Sequence, residues 1–78
     1  MSKHTLNLTQ SGSRVVVKSI SPGNHELAHR LLSLGIVEGT IIEVKKAAPF
    51  GDPIRIKALG YELSLRLSEA EFVEVSPL

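Results

Sequence analysis

Leu27, Leu31 and Leu34 recur at i, i+4 and i+7, which places them on one stripe of an α-helix, and the run ends at Gly35. Glycine reaches the left-handed conformation that closes a helix without a Cβ clash, so the spacing predicts a helix over His25 to Leu34. Asn24 precedes it as an N-cap candidate and Glu26 sits at the positive end of the helix dipole; Ser21, ahead of Pro22, is the alternative start. After Glu38-Gly39 the period changes from 3.6 to 2. Thr40, Ile42 and Val44 alternate with Ile41, Glu43 and Lys45 until Pro49 and the Phe50-Gly51-Asp52-Pro53 turn interrupt them.

Three further strands are predicted around this unit. Arg14 to Ile20 is rich in β-branched residues and ends at Ser21-Pro22-Gly23. Ile54 to Ala58 and Tyr61 to Leu67 alternate almost without error. If they form a hairpin about Leu59-Gly60, burial requires Ile54 to face Leu65, Ile56 to face Leu63 and Lys57 to face Glu62, because a one-residue slip would set charged residues against apolar ones. Any even loop length keeps this register, and because Leu59 does not suit the first position of a tight primed turn, a connection of four residues instead of two is expected. Ser68 and Glu71 stand at capping-box spacing in a short helical turn, before a last strand at Phe72 to Val75. The first twelve residues are expected to be less ordered. Five short strands with one α-helix and a short helical turn describe a mainly β fold, a small SH3-like five-stranded barrel that is partly closed to hide its strand edges.

At 78 residues the chain is expected to form one domain, close to the size at which an apolar core suffices without staples. It has no cysteine, which removes disulfides and thiolate metal sites and favours a reducing cytoplasm. No apolar run approaches the roughly 20 residues that span a bilayer, and Met1 to Gln10 lacks the apolar core of a signal peptide, so neither membrane insertion nor export is expected. Nine Lys and Arg stand against eight Asp and Glu, interspersed along the chain, and the three aromatics lie in separate segments. This disfavours nucleic acid, whose binding needs a concentrated basic face or a stacking platform.

The block Leu31-Leu32-Ser33-Leu34-Gly35-Ile36-Val37-Glu38-Gly39-Thr40, with Ala48-Pro49-Phe50-Gly51-Asp52-Pro53-Ile54 and Leu63-Ser64-Leu65-Arg66, resembles the FeoA family of ferrous iron transport proteins. The resemblance implies a small cytosolic SH3-like domain that partners FeoB, the membrane protein that carries Fe(II) inward using a GTPase domain. A similar domain occurs at the C-terminal end of DtxR-type repressors, whose winged-helix region is not expected here. The residues also have a physical reading of their own: Gly35 and Gly39 let the chain pass from helix to strand within a few residues, and Pro53 keeps Asp52 extended.

Candidate chemistry is sparse. His25 and His29, four apart on a helix, would give Fe(II) or Zn(II) two ligands on one face, but a site needs a third and Glu26 projects about 100° away. No cofactor is expected beyond such weak binding. Catalysis is not expected either, since there is no thiol or phosphate-binding glycine loop and Asp52 is the only Asp. A partner-binding surface fits better. Leu32 projects about 100° from Leu31, toward the edge of the apolar stripe, where with Ala28 and Arg30 it either packs on the barrel or presents an apolar and cationic contact. Phe50 is either a second anchor or a lid over the barrel, and Arg66 is expected on a strand beside an acidic partner. The expected role is a cytoplasmic accessory of Fe(II) uptake that binds FeoB; the alternative is a stand-alone regulatory domain docking onto a metal-dependent repressor or a peptide.

Overall fold

The computed structural model describes residues 4–45 and 51–78, so Phe50 lies outside the described residues. Five antiparallel strands form one sheet in the order β4-β3-β2-β1-β5: β1 (Arg14–Ile20), β2 (Ile41–Val44), β3 (Ile54–Ala58), β4 (Tyr61–Leu65) and β5 (Val73–Pro77). Helix α1 (His25–Ser33) joins β1 to β2, and the single turn α2 (Leu67–Ala70) joins β4 to β5. Inward positions of every strand contribute to one core: Val15 and Val17, Ile42 and Val44, Ile54 and Ile56, Leu65, Val73 and Val75 are all buried. Among the described residues no ladder joins β4 to β5, so the sheet curls round its core without closing. In β1 the register shifts between Val17 and Ser19, leaving Lys18 as a bulge that adds curvature.

The β3–β4 hairpin has the register that burial demands, with Ile54 opposite Leu65, Ile56 opposite Leu63 and Lys57 opposite Glu62. Ala58 pairs with Tyr61, so the loop is the two-residue Leu59-Gly60. Both of its residues have positive φ, 56° at Leu59 and 86° at Gly60, as a type I′ turn requires. Strand pairing has therefore overridden the local preference of leucine.

Asn24 caps α1, its side-chain oxygen accepting from the Leu27 N–H at 3.0 Å. The helix ends one residue earlier than the leucine stripe suggests. The Ile36 N–H donates to Leu31 O at 2.9 Å and the Gly35 N–H to Leu32 O at 3.0 Å, the paired bonds of a Schellman motif with Gly35 at φ 84°. This reversal turns Leu34 outward, to 37% exposure, and drives Ile36 into the core at 1%. The third core residue of this segment is thus Ile36.

Two polar contacts close the α2 turn, and neither uses Ser68 and Glu71. Glu69 Oε1 accepts from the Arg66 N–H at 2.8 Å, while Asp52, from the turn before β3, accepts from the Leu67 N–H at 3.0 Å. Arg66 lies just past β4 and meets its acidic neighbour through its backbone. Because the Asp52 cap ties two segments fifteen residues apart, Asp52→Ala is expected to lower the unfolding free energy by about 1 kcal/mol, while Asp52→Asn retains most of it; guanidinium unfolding of the two variants measures the difference.

The lead-in to β1 is also tied down. Thr5 bridges to Glu74, the Val75 N–H donates to His4 O at 2.9 Å, and a 3-10 turn over Leu6–Leu8 carries Leu6 fully into the core.

Candidate functional site

Helix α1 separates a buried face from an exposed one by angle. Leu27 and Leu31, 2% and 1% exposed, face the sheet, while Leu32, one residue and about 100° further on, is 65% exposed. Ala28 is half-buried beside it, and Arg30 is exposed. The structure brings Ala28, Arg30 and Leu32 together along one shallow surface concavity, which His25, His29 and Glu69 also line. Arg30 reaches Glu69 Oε1 at 3.5 Å, an ion pair in partly exposed surroundings that orients the guanidinium more than it stabilises the fold. Leu32 is thus no part of the core.

His25 and His29 are both exposed on this face. Among the described residues no group of three or more His, Cys, Asp or Glu is placed to hold a metal ion. No helix of the described residues is long and apolar enough to cross a membrane.

A second exposed apolar group lies where α1 passes into β2. Leu34, Val37, Ile41 and Leu59 are between 37% and 56% exposed. The turn that carries Val37 is held firmly: the Val37 N–H donates to Thr40 Oγ1 at 3.0 Å, the Thr40 N–H returns to Val37 O at 3.0 Å, and the Gly39 N–H donates to Val17 O at 2.8 Å. The Tyr61 hydroxyl donates to Leu34 O, fixing the hairpin against the helix end. Sequence reasoning missed this group. Its signals were Ile41, an isoleucine in the polar phase of β2, and Leu59, a leucine at a turn position that favours Asn, Asp or Gly.

The FeoA domain sequence model matches residues 4–77, nearly the whole chain. The chain belongs to the FeoA family. A curated relative, the Fe(2+) transport protein A/Fe(2+) transporter FeoB fusion protein of Porphyromonas gingivalis, is 31% identical over 70 residues; these are 90% of this chain but 8% of that protein, so the chain spans a small part of the relative's length. The solution structure of a FeoA-like protein from Clostridium acetobutylicum is 40% identical, with a TM-score of 0.87 over 100% of this chain and 91% of that one. Stenotrophomonas maltophilia FeoA, crystallised with zinc and described as a prokaryotic SH3 domain, is 31% identical with a TM-score of 0.81 over 92% of this chain and 88% of that one. A manganese-dependent transcriptional repressor shares the fold, with a TM-score of 0.88 over 100% of this chain and 38% of that one, at 20% identity. In this FeoA domain three residues of the resembling blocks are architectural: Gly35 reverses the chain, Asp52 caps α2 and Leu65 fills the core.

Proposed function

We propose that this FeoA domain is a non-catalytic, cytoplasmic accessory of bacterial ferrous iron uptake, which binds the transporter FeoB through the outward face of α1 and supports its transport cycle. The observation that carries this reading is the relative in which a FeoA domain and FeoB form one polypeptide. Fusion of two proteins is favourable where they work in contact, because a tether raises their effective concentration. Leu32 would be the apolar anchor of the contact, with Ala28 clearing space beside it and Arg30, already oriented by Glu69, supplying charge at the rim. Phe50 is proposed as a further anchor on its place between Pro49 and Gly51 alone.

Deleting the gene is expected to reduce FeoB-dependent Fe(II) uptake in iron-poor medium, with recovery from a plasmid copy; unchanged uptake in the deletion strain would remove this role. In this role the ferrous ion is cargo of the transporter and needs no resident site on the domain. The zinc in the S. maltophilia protein suggests a weak surface site, for which His25 and His29 offer two of the four ligands zinc prefers. Calorimetric titration with Zn(II) is therefore expected to show weak binding that His25→Ala, His29→Ala removes.

A further inference from the structure

Leu59 carries two costs that the fold does not require. It holds a left-handed backbone, φ 56°, at a position where Asn or Gly would be unstrained, and it leaves 56% of its surface in water. Its methyl groups lean over Gly35, where an added Cβ would stand 3.2 Å from Leu59 Cδ1. Val37 and Ile41, 44% and 43% exposed, line one surface with it, on segments already pinned by the backbone and hydroxyl bonds of the Val37 to Thr40 turn, and Leu34, 37% exposed, precedes Gly35 with its carbonyl held by the Tyr61 hydroxyl. An apolar patch on a rigid support is a pre-organised one.

We propose that Leu34, Val37, Ile41 and Leu59 form a second docking site, and that its occupant is a short apolar segment of FeoB flanked by a Lys or Arg. The proposal rests on the FeoB partnership argued above. Size excludes a second copy of the domain: four half-exposed side chains offer on the order of 300 Å², whereas a stable dimer buries about 800 Å² on each partner. Charge selects the flank. Among the described residues that line the surface Glu38 alone is charged, so a cation beside the apolar contact is matched and an anionic lipid surface is repelled. A contact this small suits a partner that is held nearby by other means, as the fused relative holds its FeoA domain.

The test titrates purified, detergent-solubilised FeoB from the same organism into the isotopically labelled domain and its variants. Leu59→Asn is expected to weaken binding about tenfold with a melting temperature equal to or above that of the parent, because Asn tolerates the left-handed conformation. Glu38→Lys is expected to weaken it several-fold at low salt, with the difference fading as salt rises. Full binding by Leu59→Asn, with loss in Leu32→Glu, would remove this surface and leave the FeoB role standing. Failure of the parent domain to bind FeoB would remove both. A clear fall in melting temperature for Leu59→Asn would assign Leu59 to packing over Gly35, and a concentration-dependent dimer of the parent that Leu59→Asn abolishes would assign the surface to a second copy; either overturns the proposal.

Discussion

Leu31→Ala is expected to destabilise the domain by about 3 kcal/mol, while the same change at its neighbour, Leu32→Ala, stays within about 0.5 kcal/mol. Leu31 is 1% exposed and its carbonyl also accepts the Ile36 N–H of the Schellman motif, so truncation opens a cavity beneath the point where the chain reverses. Leu32 leaves 65% of its surface in water and loses little when shortened. A domain of this size has a net stability of only about 4–12 kcal/mol. At roughly 4–8 °C per kcal/mol, Leu31→Ala should lower the melting temperature by well over 10 °C and Leu32→Ala by a few degrees at most. Equal shifts in the two variants would mean that α1 does not divide its faces between core and surface as described.

Much of this arrangement could be read from the residues because burial leaves few alternatives. In the β3–β4 hairpin a one-residue slip would have turned Leu63 and Leu65 to the face opposite Ile54 and Ile56, so the alternation alone was enough to set the register. Asn24 was legible as a cap because its partner, Leu27, lies three residues on. Features that depend on distant partners were not. The α2 turn is capped by Asp52, fifteen residues upstream of the N–H it receives, and no local spacing signals that bond. Leu34 continues the helical period on paper, but the reversal at Gly35 gives its place in the core to Ile36. Leu6 closes the core from a stretch that is otherwise mostly polar, where a single leucine has no periodicity to reveal it.

The candidate surface was legible in a different sense. Ala28, Arg30 and Leu32 were recognisable because helix geometry sets them apart from Leu27 and Leu31, and the structure leaves Leu32 uncovered. The pairing of Arg30 with Glu69 was not, since Glu69 is 39 residues away along the chain. The exposed group at Leu34, Val37, Ile41 and Leu59 draws on the helix end, β2 and the hairpin tip, and it exists only once the sheet has brought these segments together.

Leu32→Glu is expected to lose partner binding without loss of fold. An exposed leucine replaced by glutamate leaves the core intact, so stability should change by no more than about 0.5 kcal/mol. In an apolar contact the same change buries an unpaired carboxylate, which costs at least about 2 kcal/mol, or roughly thirtyfold in affinity. The most direct measurement is Fe(II) uptake in a deletion strain carrying either the parent gene or Leu32→Glu, with the variant's melting curve recorded in parallel. Uptake near the level of the empty deletion strain, from a variant that melts like the parent, is the expected result. Parental uptake from a folded Leu32→Glu domain would contradict the placement of the FeoB contact on α1.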